Sequence, residues 1–359
     1  MTLLTAGYLF AGLALLILGA ECLVRGAVRL ATLLGISPLV IGLTVVAFGT
    51  SAPEAAVSIK ASLSGSGDIA VGNVVGSSIA NILLVLGLSA LVAPLAVSRQ
   101  LIRRDVPVMI VTGLLAFALA WNGQISRLDG SVLLVCLLAY TALLIIVSQR
   151  EKRGQEGNAL APKQRARVAA LHALLCLLTI LAGLGLLTVG SDWLIKGAVN
   201  LGRALGLSEL IIGLTVIAVG TSLPELATSL LAVLKGERDI SVGNLVGSCI
   251  FNLLLVLGAS AVVATDGLSI SPNVLTFDFP VMLAVFIACF PIFFSGYRIS
   301  RWEGLLFLGY YLSYILYLVM FSSGLPAIAL LRHAMSWYVL PLTGATLAVI
   351  FLRAWQRQR

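Results

Sequence analysis

Long apolar runs separated by short polar segments dominate the chain. Hydrophobic residues make up 60% of its 359 positions and charged residues 11%, and many runs reach the roughly 20 residues that a helix needs to cross a bilayer. The pattern predicts ten membrane helices, at positions 4–32, 37–63, 69–97, 103–121, 128–148, 168–202, 208–234, 240–264, 273–295 and 303–322. A run at 338–352 predicts an eleventh. The sequence therefore predicts an all-α integral membrane protein.

The chain contains an internal repeat. Residues 37–87 align with residues 208–258 without a gap at a constant offset of 171, and 33 of these 51 positions are identical. Similarity continues on both sides, so that each copy comprises five predicted helices. An odd number of crossings makes the second copy insert with the opposite orientation, as in many secondary transporters. The predicted fold is thus two inverted five-helix repeats plus one extra C-terminal transmembrane helix.

The distribution of charge predicts the orientation of this fold. With the N-terminus outside, only five of the 23 Lys and Arg residues lie on the external side, namely Lys60, Arg127, Lys196, Arg203 and Arg332. Because cytoplasmic loops of membrane proteins are rich in Lys and Arg, we expect a multi-pass protein of the plasma (inner) membrane with a cytoplasmic C-terminus. The same bias accounts for the net charge of +8 without any binding of nucleic acid.

The predicted units follow one another along the chain. The first repeat occupies residues 1–148, a polar cytoplasmic linker 149–167, the second repeat 168–322, and the extra helix with its basic tail 323–359. The five cysteines lie singly in apolar stretches, which predicts neither disulfides nor a cysteine metal site. No motif of an enzyme is found, and no catalytic residue, cofactor or obligate protein partner is predicted.

The second helix of each copy carries the motif Gly-Thr-Ser-x-Pro-Glu, which ends at Glu54 and at Glu225. Proline has no amide hydrogen, clashes with the carbonyl four residues earlier and disfavours helix at the residue before it, so both core helices are predicted to be broken. Within a bilayer, a broken helix is tolerated only where protein, water or an ion takes up the freed backbone groups. The candidate ligands among these groups are the carbonyls near Ala47, Thr50, Ala218 and Thr221.

Glu54 and Glu225 follow these breaks, well inside their predicted spans. A carboxylate at mid-membrane costs roughly 2.5–3.5 kcal/mol on insertion scales, so we expect both to serve a function rather than to pack helices only. Calcium takes about six to eight oxygen ligands, including carboxylates and backbone carbonyls. Two glutamates with neighbouring carbonyls and hydroxyls can supply them.

The third helix of each copy carries Val-Gly-Asn-x-Val-Gly-Ser-x-x-x-Asn. Ser77 and Asn81 lie four residues apart on one helix face, as do Ser248 and Asn252, and their neutral oxygens suit weakly bound monovalent cations. The alternative is that small residues here only allow close helix packing, which is our prediction for the motif glycines Gly72, Gly76, Gly243 and Gly247.

With both motifs in duplicate, the chain resembles the prokaryotic sodium/calcium exchanger family of the cation/calcium exchanger superfamily over both halves. The resemblance implies a central calcium site of Glu54 and Glu225 with backbone oxygens of Thr50 and Thr221. It also implies flanking sodium sites, with ligands from Ser51, Ser77, Asn81, Ser222, Ser248, Asn252 and the carbonyls of Ala47 and Ala218. The implied function is a secondary antiporter that exchanges calcium for sodium by alternating access. The four hydroxyls and two amides offer enough oxygens for a third sodium ion, which predicts electrogenic exchange.

Two departures from the family pattern limit this expectation. Some microbial and potassium-dependent relatives carry Asp where this chain has Asn252, which leaves two carboxylates here rather than three and makes potassium coupling unexpected. The linker is also too short for the cytoplasmic calcium-sensing domains of animal exchangers.

Two alternative functions stay open at this point. One is exchange of calcium or another divalent cation for protons, although proton-coupled relatives typically show Gly-Asn-x-x-Glu in place of the motif found here. The other is a passive cation channel or a membrane scaffold. Calcium flux in sealed vesicles separates all three, according to whether a sodium gradient, a proton gradient or neither drives it.

Overall fold

The computed structural model describes residues 3–155, 163–205 and 218–323, with isolated positions between 328 and 348. The helices are α1 Leu3–Leu34, α2 Pro38–Thr50, α3 Ala52–Leu63, α4 Gly67–Val92, α5 Val106–Ala120, α6 Arg127–Gln155, α7 Lys163–Ala204, α8 Ala218–Gly220, α9 Leu223–Leu234, α10 Arg238–Val263, α11 Val274–Phe294 and α12 Arg301–Ser322. The short strands between them are β1 Leu95–Ala96, β2 Gln124–Ile125, β3 Leu268–Ser269 and β4 Arg298–Ile299.

These helices coincide with the predicted apolar runs. Within the described residues, seven helices are long and apolar enough to cross a membrane, and the bent pair α2–α3 makes an eighth span. Helix α5 lies in the fourth predicted run, and α9 forms the end of the seventh. The beginning of the seventh run and, apart from isolated positions, the predicted eleventh helix at 338–352 lie outside the described residues.

Helix extends into both ends of the segment that the sequence predicts as a polar linker, 149–167. Helix α6 continues to Gln155, and α7 begins at Lys163. The described part of this segment is therefore helical rather than irregular.

The first helices of the two copies, α1 and α7, pack against each other in antiparallel directions. A Cβ atom added to Gly12 would lie 2.9 Å from the carbonyl oxygen of Gly190, and one added to Gly19 would lie 2.8 Å from that of Gly183. Positions 12 and 19 correspond to 183 and 190 in the repeat, so each contact is the two-fold counterpart of the other. Because equivalent helices run in opposite directions, the two copies are inverted, as predicted.

The pairing of the short strands between the helices also shows that the two copies are inverted. Strand β1 pairs with β4, and β2 pairs with β3, both antiparallel. In the predicted order of spans, β1 follows the third crossing and β4 the ninth, whereas β2 follows the fourth and β3 the eighth. Each pair thus joins loops on one face of the membrane, and the two equivalent pairs lie on opposite faces.

The two copies meet in a buried centre formed by α4 and α10. Most of the apolar stretch of these helices is buried, whereas only a small part of that of α7 is buried, and side chains of α7 such as Leu181 are exposed on the outer surface. Added Cβ atoms at Gly243 and Gly247 of α10 would lie within 2.9 Å of backbone atoms of α2, so the predicted packing role of these two glycines is confirmed. The segment that would face Gly72 and Gly76 lies mostly outside the described residues.

Candidate cation site

The predicted break in each core helix is present. Helices α2 and α3 are bent by 42° about Ser51, whose ψ of 0° leaves the helical region, and Ser222 takes the same conformation with ψ of 7° between α8 and α9. Pro53 and Pro224 lie in the first turn of the following helix, where a missing N–H leaves no helical bond unmade.

The backbone carbonyls at the two breaks are not simply left without hydrogen-bond donors, as the sequence predicts. The Ala47 carbonyl is not freed, because it accepts a hydrogen bond from the N–H of Ser51 at 3.0 Å, and the hydroxyl of Thr50 lies 3.4 Å from the same oxygen. In the second copy the Ser222 N–H bonds to the carbonyl of Val219 at 3.1 Å. The carbonyl four residues before Pro224, that of Gly220, accepts the hydroxyl of Ser191 on α7 at 2.7 Å.

Glu54 and Glu225 begin the helices after the breaks and face each other in the buried centre. Both side chains are fully buried, and their carboxylates are close enough to repel each other electrostatically. None of their four oxygens has a hydrogen-bond partner within the described part of the chain. Buried charges normally have a partner, because desolvation without one is very costly, so this pair of carboxylates suits a bound cation or bound protons.

Hydroxyl groups from both copies surround the glutamates. Those of Thr50, Ser51 and Ser248 lie near the Glu225 carboxylate. The Thr50 hydroxyl lies 3.4 Å from that of Ser248, and the equivalent pair, Thr221 and Ser77, is 3.5 Å apart. Each hydroxyl pair joins a core helix of one copy to the third helix of the other, so the site exists only where the two copies meet.

Asn81 and Asn252 complete the set of polar side chains. Both are fully buried, and neither amide has a hydrogen-bond partner in the described residues. Each one begins a π-helical turn, Asn81–Leu86 in α4 and Asn252–Val256 in α10, a feature that the sequence analysis did not predict. Such turns are frequent at functional sites, although others occur here at Gly42–Val46, Leu101–Asp105 and Val274–Asp278.

The unpaired oxygens form a donor set suited to hard cations. The four carboxylate oxygens are joined by the hydroxyls of Ser51 and Ser222 and the amide oxygens of Asn81 and Asn252, all without a hydrogen-bond partner in the described residues. No group of three or more His, Cys, Asp or Glu side chains that could hold a metal occurs in that same part of the chain. The site therefore offers two negative charges among neutral oxygens, the type of ligand that calcium and other hard cations prefer.

The structure thus brings most of the predicted ligands to one place. Ala47 is buried beside Thr50, whose hydroxyl lies 3.4 Å from its carbonyl oxygen. Thr221 is partly buried. The backbone of Ala218 belongs to α8, but its side chain lies outside the described residues.

Comparison with known proteins shows the family of this chain. A family model described as sodium/calcium exchanger protein matches residues 4–146 and again 175–320, one match in each copy. The chain belongs to the sodium/calcium exchanger protein family. It is accordingly a multi-pass membrane protein and a cation/calcium antiporter of the exchanger type, not an enzyme.

Individual relatives of this exchanger cover most of its length. It is 42% identical over 79% of its chain to the inner membrane protein YrbG of Escherichia coli (strain K12), covering 86% of that protein. It is 31% identical over 86% of its chain to the sodium/calcium exchanger MaX1 of Methanosarcina acetivorans, covering 97% of it. A solved structure of the sodium-calcium exchanger NCX_Mj superposes with a TM-score of 0.73 at 32% identity, covering 87% of this chain and 98% of that one.

Two polar residues of the exchanger site were missed by the sequence analysis. Asn244 accepts the hydroxyl of Thr50 at 3.1 Å and donates to Ser229 at 3.1 Å. Its repeat counterpart Asn73 donates to the hydroxyl of Ser58 at 2.9 Å and to the carbonyl of Glu54 at 3.3 Å. These asparagines therefore connect α4 and α10 to the broken helices. Their identity in both copies, inside apolar helices, was a signal that could have identified them.

Three other acids in the predicted spans make contacts away from the glutamate pair. Asp278 accepts the hydroxyl of Tyr314 at 2.9 Å, which ties α11 to α12. On the surface, Asp192 pairs with Lys196 at 2.7 Å, and its repeat counterpart Glu21 pairs with Arg25 and Lys235. None of these contacts includes a residue of the cation site.

Proposed function

We propose that this antiporter exchanges calcium for sodium by alternating access, with calcium bound between Glu54 and Glu225. The observation that carries the proposal is the pair of fully buried carboxylates, one from each inverted copy, without a hydrogen-bond partner in the described residues. A divalent cation neutralises this pair, whereas one monovalent cation leaves a buried negative charge.

The number of oxygens supports the same assignment. Calcium needs about six to eight oxygen ligands at about 2.3–2.6 Å. The two carboxylates provide up to four, and backbone oxygens of Thr50 and Thr221 at the breaks provide the others. A tetrahedral transition-metal site would instead require nitrogen or sulfur ligands.

Sodium is proposed to bind beside calcium among the neutral oxygens. The proposed ligands are the side chains of Ser51, Ser77, Asn81, Ser222, Ser248 and Asn252, with the carbonyls of Ala47 and Ala218. Three sodium ions against two carboxylates leave one excess positive charge, so that each cycle would move net charge. A membrane potential of 100 mV then biases exchange by about 2.3 kcal/mol.

The inverted repeat supports alternating access. In transporters of this type, one repeat or bundle moves against another around a site at mid-membrane, where broken helices supply ligands. The positive-inside bias of the loops supports an external N-terminus and a cytoplasmic C-terminus, and the relative YrbG, an inner membrane protein, supports that location.

The relatives support the choice of ions. MaX1 carries the name sodium/calcium exchanger, and NCX_Mj structures were obtained after soaking with Na+ and no Ca2+, with Na+ and Ca2+, or with Na+ and Sr2+. Sodium is the coupling ion that these names favour over protons.

Calcium flux in proteoliposomes tests the proposal. We expect calcium uptake when sodium inside exceeds sodium outside, at equal pH, and no uptake with a pH gradient alone. The matched control is Asp192→Asn, which removes a surface carboxylate and should leave the flux unchanged, whereas Glu54→Gln and Glu225→Gln should abolish it. Uptake driven by the pH gradient without sodium would show that protons, not sodium, are the coupling ion. Uptake without either gradient would indicate a channel.

A further inference from the structure

A cavity opens at the predicted cytoplasmic end of α1, beside the turn that joins α9 to α10. Its volume is about 360 Å³, and its lining residues are Val24, Arg25, Val28, Arg29, Lys235 and Glu237. Three of these six residues are cationic, and two valines form an apolar wall. The cavity lies on the molecular surface, away from the buried cation site.

The cations of this cavity are only partly neutralised. Glu21 binds both Arg25 and Lys235, the latter at 2.6 Å, and Glu237 adds a second negative charge to the surroundings. Arg29 is exposed and forms no ion pair within the described residues. Three cations against two carboxylates leave a net charge of about +1, which one monovalent anion would balance.

The repeat shows that the fold itself does not require these cations. At the equivalent surface of the other copy, Arg29 is replaced by Asn200 and Lys235 by Ser64. The ion pair between Glu21 and Arg25 on α1 has its counterpart on α7, where Asp192 and Lys196 lie 2.7 Å apart. The additional positive charge is therefore confined to the surface that the loop charges place at the cytoplasmic face.

We propose that this cavity binds the phosphodiester headgroup of an anionic phospholipid from the cytoplasmic leaflet. A phosphodiester carries one negative charge, and the planar guanidinium of Arg29 can bind two of its oxygens at once. The partly exposed Val28 would contact the apolar part of the lipid. Basic pockets between membrane helices on the cytoplasmic side bind such headgroups in other proteins. The proposal concerns a binding site and does not depend on which ions are exchanged.

Lipid binding to the purified full chain in uncharged detergent tests this proposal. Native mass spectrometry is used to titrate short-chain phosphatidylglycerol, phosphatidylcholine of the same chain length, and inorganic phosphate. The variant is Arg29→Gln, an exposed position that should not affect folding, and the matched control is Lys196→Gln on the opposite surface. Thermal unfolding confirms that both variants are folded.

We expect the wild-type chain to bind phosphatidylglycerol more tightly than phosphatidylcholine. Arg29→Gln should weaken that binding about fivefold, the equivalent of about 1 kcal/mol for one cation near a charged headgroup, and Lys196→Gln should not weaken it. Equal affinity for both lipids, or equal effects of both variants, would overturn the proposal. Inorganic phosphate that binds as tightly as the lipid and displaces it would overturn the lipid as the source of the anion.

Discussion

The substitution Glu54→Gln separates a cation ligand from a residue that only packs helices. It keeps the size of the side chain and removes one of two buried charges that repel each other. A structural carboxylate would lower the stability of the protein when it is removed. A cation ligand should instead leave the cation-free protein at least as stable, because the repulsion is relieved, while calcium binding is lost.

The size of the loss follows from the charge of the site. At an effective dielectric constant of about 20, two unit charges about 4 Å apart interact by about 4 kcal/mol. Because calcium is divalent, the loss of one carboxylate charge should weaken its binding by at least this amount, a factor of about 1,000 or more in the dissociation constant. Calcium at about 1,000 times the wild-type dissociation constant stabilises the wild-type protein by about 4.1 kcal/mol. At that concentration, the variant should gain at most about 0.4 kcal/mol.

Thermal unfolding in detergent measures both effects in one series. Wild type, Glu54→Gln and the control Asp192→Asn are unfolded first with a chelator and then over a range of calcium concentrations. We expect only Glu54→Gln to lose the calcium-dependent rise in Tm. A variant that keeps this rise, or one that is strongly destabilised in chelator, would refute the argument that Glu54 is a calcium ligand.

Three other predictions concern the coupling ions and the asparagines. Removal of potassium from both sides should leave sodium-dependent calcium uptake unchanged, because both Asn81 and Asn252 are amides; a strict potassium requirement in the flux assay would contradict this. With fixed ion gradients, an inside-negative potential should favour sodium entry with calcium extrusion, and calcium flux that ignores a clamped voltage would indicate two sodium ions per calcium. Asn244→Leu should weaken calcium binding in a titration by about tenfold or more, because the hydrogen bond to the Thr50 hydroxyl at 3.1 Å is lost and a buried unsatisfied polar group costs about 1–3 kcal/mol. The surface variant Asn200→Leu should have no such effect.

Much of the fold could be predicted because it depends on residues that are close together in the sequence. The apolar runs placed the membrane helices, since a bilayer demands about 20 apolar residues per crossing, and Pro53 and Pro224 placed the breaks, since proline cannot continue a helix. The π-helical turns at Asn81 and Asn252 were not predicted. Hydropathy and proline, the patterns that placed the helices and their breaks, do not mark such turns.

The two glutamates of the site could be predicted from the sequence, but the hydrogen bonds that join its helices could not. Glu54 and Glu225 are conspicuous in apolar runs because a buried carboxylate is so costly. The roles of Asn73 and Asn244 depend on contacts with Ser58 and Ser229 fifteen residues away, which two separate helices bring together. The predicted freeing of the Ala47 carbonyl was wrong because the turn at Ser51 still offers it an N–H donor.

The sequence by itself determined that this protein is a duplicated membrane transporter with two broken helices, each followed by a glutamate. The repeat, the apolar runs and the prolines can all be read along the chain without knowledge of distant contacts. Only the tertiary structure decided which oxygens share one site. Thr50 meets Asn244 and Ser248 across 194 and 198 residues of chain, and the glycines of α10 allow that approach by admitting the backbone of α2. Such contacts depend on the shapes of two packed surfaces at once, and a single stretch of sequence specifies only one of them.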